Sequence, residues 1–297
     1  MAQQYKGSVL LLLTAMIWGA ALVAQSVSMD LIGPFTFQCA RSILGALVLL
    51  PVIAVFSRDK GGEAKPPVER KTQWTAGLLC GVIFFAACGL QQCGLVYTTA
   101  GKAGFITALY IVLVPIAGIF FHRKVGWNVW TGVVIGVVGL YLLCVTESFS
   151  VGEGDLLVCL GAFAFGAHIL VIDHFSPKVD GVKLSCMQFA VNAALSGVCM
   201  LLFERPSMAT VLDCWLPIVY AGVLSGGLAY TLQIIGQRYT SPTVASLILS
   251  LESVFAVLFG WLLLHEALSG RELAGCALMF AAIVLAQLPF HSRGELE

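Results

Sequence analysis

The chain has 297 residues, 59% of them hydrophobic and only 11% charged, and its mean hydropathy is +0.94. A soluble globular domain carries about 25% charged residues, so a water-soluble enzyme or binding module is excluded. Sixteen Lys and Arg balance sixteen Asp and Glu, which removes any electrostatic reason to expect a nucleic-acid partner.

Apolar runs of about 20 residues recur along the chain, the length a helix needs to cross a bilayer. Ten spans are predicted: 7–29, 34–56, 74–98, 100–121, 127–146, 154–173, 182–203, 214–237, 243–264 and 270–289. Irregular backbone in lipid leaves peptide groups without partners, so the spans are read as helices and the protein as an all-α integral membrane protein. The longest polar break, 57–73, reads as a flexible linker. The first span is too long for a signal peptide and lacks a convincing Ala-x-Ala site, so it is expected to be retained. The ten cysteines are scattered, without close-spaced ligand pairs. They read as small buried hydrophobes, and neither a metal nor another cofactor is indicated.

With the N-terminus inside, twelve Lys and Arg fall in inner segments and three, Lys102, Arg205 and Arg271, in outer ones. The positive-inside rule then places both termini in the cytoplasm, as for a multi-pass protein of the plasma membrane. Arg41 is left within the bilayer.

The chain also matches itself. Residues 90–98 read Leu-Gln-Gln-Cys-Gly-Leu-Val-Tyr-Thr and residues 232–240 read Leu-Gln-Ile-Ile-Gly-Gln-Arg-Tyr-Thr. At one offset Gln91 pairs with Gln233, Gly94 with Gly236, Tyr97 with Tyr239 and Thr98 with Thr240. Gly7 through Ala20 aligns with Gly154 through Ala167, bringing Trp18 onto Phe165, and Ala103 through Gly118 aligns with Ala245 through Gly260. The expected organisation is two five-helix repeats, residues 1–150 and 151–297. Five is odd, so the second repeat enters the membrane inverted. Inverted repeats are a way of building a transporter with its site between the halves.

Residues 239–266, from Tyr-Thr-Ser-Pro-Thr-Val-Ala-Ser to Leu-Leu-Leu-His-Glu, resemble the second repeat of EamA-type transporters of the drug/metabolite transporter superfamily. Residues 98–115, Ile-Trp-Gly at 17–19 and Ala-Arg at 40–41 resemble its first repeat. The resemblance covers nearly the whole chain. It implies ten helices, a central cavity lined mainly by helices 3, 4, 8 and 9, and movement of amino acids, other metabolites or drugs, often outward. The family's Leu-Glu-Pro in helix 9 is Leu251-Glu252-Ser253 here, which puts a hinge there in doubt. Pro115 in helix 4 is retained, and is expected to act as a hinge by removing a backbone hydrogen bond.

Polar residues in apolar spans are the candidate site. Glu252 lies about 13 Å into helix 9 at 1.5 Å per residue, where an ionised carboxylate must face protein or water. It is read as a cation or proton site, or as a neutral packing contact. Its repeat partner Tyr110 is a candidate clamp at equal depth. Gln91 and Gln233 suit a polar ligand or interhelical bonds. Ser246, Ser250 and Ser253 form one stripe, about 100–120° around the helix from Glu252, with Ser250 the candidate substrate contact. Arg41, about 10 Å deep, pairs, snorkels or binds an anion. Trp18, His168 and Asn192 are further cavity candidates. Lys102 reads as an interfacial anchor and Glu266–Arg271 as a surface pair. Gly132-x-x-x-Gly136, Gly139, Gly275 and Ala277-x-x-x-Ala281 read as scaffold faces, with a homodimer contact as a second use.

The function expected is a secondary transporter exporting a small metabolite, amino acid or drug, with or without proton coupling. No Walker-type phosphate loop is present. An enzyme would need a paired catalytic set, whereas one acid sits at mid-depth. The alternatives are an importer or antiporter of a phosphorylated or anionic metabolite, which asks for several cavity cations, and a non-transporting membrane scaffold.

Overall fold

Helices account for all the regular structure among the described residues of the computed structural model, 2–58, 69–98, 100–120, 125–144, 152–264 and 269–287. Among these residues nine helices are long and apolar enough to cross a membrane, and a shorter apolar one, Trp127–Leu143, makes the tenth span. Spans 1, 2 and 3 are Ala2–Ser28, Pro34–Arg58 and Arg70–Leu95. Span 4 is Ala100–Ala108 followed by Tyr110–Phe120, and span 5 is Trp127–Cys144. Spans 6 and 7 are Glu153–Phe175 and Gly181–Phe203. Span 8 runs through Trp215–Val219, a π-helix Tyr220–Ala229 and Tyr230–Gln237. Span 9 is Pro242–Leu249 followed by Glu252–Leu264, and span 10 is Gly270–Gln287. A short helix, Met208–Asp213, precedes span 8. Most of the linker 57–73 and the acid of the expected pair Glu266–Arg271 lie outside the described residues. Arg271 itself sits over the Tyr141 ring, 5.3 Å from its centroid.

Leu47, Leu50, Val134, Leu201 and Leu262 are exposed on the outside of the bundle, as suits a surface that meets hydrocarbon rather than water. Polar side chains turn inward instead. Short side chains fix the helix starts. The Asp180 carboxylate accepts from the N–H groups of Val182 and Lys183 at the start of span 7. Ser241 caps span 9 ahead of Pro242, whose missing N–H is harmless in a first turn.

Exchanging the halves reproduces the packing. Span 5 packs on span 10, and span 2 on span 7. Span 3 meets span 6 as span 8 meets span 1, and span 4 meets span 6 as span 9 meets span 1. The duplicated Gly-x-x-Tyr-Thr segment explains itself here. A Cβ on Gly154 would lie 2.7 Å from the carbonyl oxygen of Gly94 and 2.9 Å from Tyr97 Cβ. At the other crossing, a Cβ on Gly7 would lie 2.8 Å from the Gly236 carbonyl oxygen and 3.0 Å from Tyr239 Cβ. Each copy of the motif is therefore the seat for the first helix of the opposite half, and only glycine allows the approach.

The glycine faces of spans 5 and 10 are consumed in the same manner. A Cβ on Gly275 would lie 2.8 Å from the Gly139 carbonyl oxygen, and one on Gly132 2.8 Å from that of Ala282. The glycines of this face are thus occupied by the chain's own helix, whereas Ala277 and Ala281 stay exposed on the outside of span 10.

Spans 4 and 9 tighten at matching positions. In span 4 the N–H of Leu109 bonds the carbonyl of Ile106 and that of Val112 bonds Leu109. In span 9 the N–H of Leu251 bonds Ile248 and that of Ser253 bonds Ser250. These three-residue bonds are 3₁₀-like. Span 9 reaches this without a proline at the turn. The Ser246 and Ser250 hydroxyls donate to the Thr243 and Leu247 carbonyls, at 2.8 and 2.7 Å, and such back-bonding bends helices. Span 9 is thus interrupted at Ser250 and Leu251, beside the Leu251-Glu252-Ser253 where a hinge is in doubt. Pro115 lies beyond the tightened turn of span 4, where its ring leaves the Ile111 carbonyl without its helical partner.

Gly154→Ala is expected to lower the thermal midpoint in detergent, because backbone on the facing helix has no rotamer with which to yield and overpacking costs about 1–3 kcal/mol. Gly270→Ala, with nothing within 4 Å of the added carbon, is the matched control and is expected to leave the midpoint unchanged.

Candidate functional site

One enclosed cavity lies where the halves meet. It is lined by Trp18, Leu22 and Gln25 of span 1, Arg41 of span 2, Gln91 of span 3 and Thr107 and Tyr110 of span 4. The second half contributes Phe165 of span 6, Ser225 and Tyr230 of span 8 and Glu252 of span 9. Its volume, about 30 Å³, holds a water or two and no metabolite. The conformation is therefore closed around the site.

The cavity has a cationic pole. Arg41 is 2% exposed, and its guanidinium donates to the Oε1 atoms of Gln38 and Gln25, the latter at 3.2 Å. It also lies 5.8 Å from the Phe37 ring centroid. Both hydrogen-bond acceptors are neutral, so they orient the charge without cancelling it. No ion pair to Arg41 is found among the described residues.

The acidic pole is Glu252, 7% exposed. Span 1 approaches it closely because Gly19 carries no side chain: a Cβ there would lie 2.8 Å from the Glu252 carbonyl oxygen. That approach also sets Trp18, the neighbouring residue, into the cavity wall. The Tyr110 hydroxyl and Trp18 Nε1 are buried without a hydrogen-bond partner. Gln91 donates from Nε2 to Thr107 Oγ1 at 2.9 Å, tying span 3 to span 4. Trp18 and Tyr230 pack with their rings tilted 48°, at 4.5 Å between centroids, and Phe84 and Phe189 close on Tyr230 from behind at 4.7 and 5.4 Å.

Trp18, Arg41, Gln91, Tyr110 and Glu252 are thus brought to one cavity, whereas Gln233, His168, Asn192 and Ser250 do not line it. His168 Nε2 lies 3.0 Å from Gln188 Oε1 and its ring stacks on Phe84. Asn192 Nδ2 donates to Ser42 Oγ at 2.8 Å, joining span 7 to span 2. Ser250 bonds its own helix backbone. Gln233 is buried with Oε1 unpartnered, so the repeat partners Gln91 and Gln233 are not equivalent in space. The π-helix explains this. It widens the turn of span 8 at 220–229, and span 3 has no counterpart, so the two helices present different residues at the same level.

Leu22, Gln25, Thr107, Phe165, Ser225 and Tyr230 join the site without having been singled out from the sequence. Trp18, Leu22 and Gln25 follow the i, i+4, i+7 spacing of one α-helical face, a signal that was present. Phe165 is the repeat partner of Trp18. Ser225 and Tyr230 stand five apart, the spacing of a π-turn, and α-helical periodicity separates them.

The model of the EamA-like transporter family matches this chain twice, at residues 5–145 and 152–288. The chain belongs to that family. A protein of Archaeoglobus fulgidus named as an uncharacterized transporter is 32% identical over 283 residues, 94% of this chain and 84% of its own length. The Bacillus subtilis protein named uncharacterized transporter YoaV is 23% identical over 94% of this chain and 95% of its own. The chloroplastic WAT1-related protein At3g02690 of Arabidopsis thaliana is 24% identical, with 92% of this chain matched to 67% of that one. A solved crystal structure shares the fold with a TM-score of 0.76 at 19% identity, over 95% of this chain and 96% of the other. The chain is thus a multi-pass membrane transporter, with a small-molecule substrate and a lipid bilayer as its surroundings.

Gln91→Leu and Thr107→Val are each expected to destabilise the fold, with a coupling near the average of about 0.6 kcal/mol for interhelical hydrogen bonds in membranes. A double-mutant cycle on unfolding in mixed micelles measures it, and additive effects would mean that the bond contributes nothing.

Proposed function

We propose that this chain is a secondary transporter of the cell membrane that exports a small zwitterionic metabolite by alternating access. The single observation behind this is one cavity, lined from both halves, that holds a buried cation and a buried acid with no ion pair between them. A substrate with a carboxylate and an ammonium group satisfies both poles at once. Arg41, oriented by Gln25 and Gln38, takes the carboxylate, and Glu252 takes the ammonium group. Trp18, Leu22 and Phe165 meet the apolar part of the substrate. In the absence of substrate, a proton on Glu252 removes the unpaired negative charge, which is the basis for proton coupling at that residue.

Residues 1–150 and 151–297 are the two moving halves, inverted with respect to one another because each carries five spans. Both termini lie in the cytoplasm, a placement that the distribution of Lys and Arg supports. Pro115 and the tightened turn at Ser250 and Leu251 are the hinges that widen the site beyond its closed volume. A phosphorylated or purely anionic substrate fits less well, since Arg41 is the sole cation among the lining residues and Lys102 is held in an ion pair with Asp155.

Purified protein in liposomes, given labelled zwitterionic, cationic and anionic metabolites with and without a pH gradient, tests this. The zwitterion is expected to move, and Arg41→Gln and Glu252→Gln are each expected to slow it about thirtyfold or more, as for loss of one partner of a buried charge pair. Glu252→Gln is also expected to abolish any dependence on the gradient. Transport of anions alone, indifferent to Glu252→Gln, would sink the proposal.

A further inference from the structure

The two ends of the bundle are built from repeated sequence, yet they are closed by different chemistry. At the end where span 3 finishes and spans 4 and 6 begin, Lys102 Nζ lies 2.7 Å from Asp155 Oδ2. The same carboxylate accepts from Thr98 Oγ1 at 2.5 Å and from the Gly152 N–H at 2.9 Å. Its side chain is only 5% exposed, against 26% for Lys102. Water therefore screens the pair poorly, and the bonds are charge-assisted. Lys102 and Thr98 belong to the first half and Asp155 to the second, so the cluster spans the boundary between them.

The corresponding place at the opposite end has no such cluster among the described residues. The repeat alignment sets Val244 opposite Lys102, Ser8 opposite Asp155 and Thr240 opposite Thr98. Thr240 Oγ1 is buried without a partner, and Ser8 makes a 3.4 Å bond to Gln287 instead. The glycine crossings, Gly94 with Gly154 and Gly236 with Gly7, are otherwise alike at the two ends. Lys6 over the Tyr239 ring, at 5.9 Å, is a contact of an exposed cation.

The position of the cluster links it to the cavity. Thr107 follows Lys102 by about 8 Å of helix rise, Gln91 precedes Thr98 by about 10 Å, and Phe165 follows Asp155 by about 15 Å. The cluster therefore ties together three spans that line the site, at the one end of the bundle where they converge. We infer that Lys102, Asp155 and Thr98 form a one-sided latch that holds this end of the cavity shut, so that opening toward it requires breaking a part-buried ion pair, whereas the other end presents none among the described residues. The inference rests on the alternating-access reading. With the termini in the cytoplasm the latched end is the extracytoplasmic one. The resting protein then favours loading from the cytoplasm, and release outside is the gated step.

A substrate-free labelling experiment tests the latch. Leu22→Cys, in the cavity wall, serves as reporter in the full chain with its native cysteines replaced, in sealed vesicles of known orientation. A membrane-impermeant maleimide is added to one side and then to the other. Lys102→Met and Asp155→Asn are expected to raise labelling from the latched side several-fold and to lower it from the opposite side. Lys102→Arg, which keeps the pair, is expected to label like the reporter chain itself, as are Ser8→Ala and Thr240→Val at the other end. Should Asp155→Asn fail to fold, Lys102→Gln, at the more exposed member of the pair, carries the same expectation. Unchanged labelling from the latched side in variants that elute and melt normally would overturn the latch alone. Absence of labelling from both sides in every chain would overturn the alternating-access reading and the latch with it.

Discussion

Hydrocarbon offers no hydrogen bonds, and the rest of this structure depends on that fact. Each span must satisfy its backbone internally, so helices are all the regular structure among the described residues. Polar side chains have no stable place on the outside. They converge inward, where Arg41, Gln91 and Glu252 meet across the halves. The cavity is thus a consequence of excluding polar groups from lipid as much as of packing.

Bringing the halves close enough to share one cavity is the task of glycine. The first helix of each half crosses the motif of the other at backbone-to-backbone distance, at Gly7 with Gly236 and at Gly154 with Gly94. Gly19 does the same for span 1 against span 9, and so places Trp18 beside the acid. With little apolar driving force between helices in lipid, close packing of small residues is what holds such contacts.

Symmetry explains the scaffold and its failure explains the site. The helix contacts survive exchange of the halves, and so do the lining positions Trp18 with Phe165 and Tyr110 with Glu252, whereas the chemistry at those positions does not. Span 8 widens into a π-helix where span 3 stays α-helical, so Tyr230 enters the cavity and meets its own repeat partner Cys88, with Tyr230 Oη 4.0 Å from Cys88 Sγ. Two identical halves would give two identical poles. The divergence of Tyr110 from Glu252 at equivalent tightened turns gives one half an acid and the other a neutral hydroxyl.

The sequence by itself determined the class and the scaffold. Ten apolar runs, each long enough to span, required helices in a membrane, and the duplicated Gly-x-x-Tyr-Thr segment marked the contacts between halves. It also supplied the buried charges, because Arg41 and Glu252 stand out wherever polar residues are scarce. Which of the polar residues share one space was decided only by the tertiary structure. His168 and Asn192 look like cavity residues by depth, yet each finds its partner on a neighbouring helix, Gln188 and Ser42. The physical reason is that depth along a span follows from counting residues at a fixed rise, whereas facing depends on rotation about the helix axis. The π-turns of span 8 and the serine-bent turn of span 9 alter that rotation through hydrogen bonds that no residue count contains.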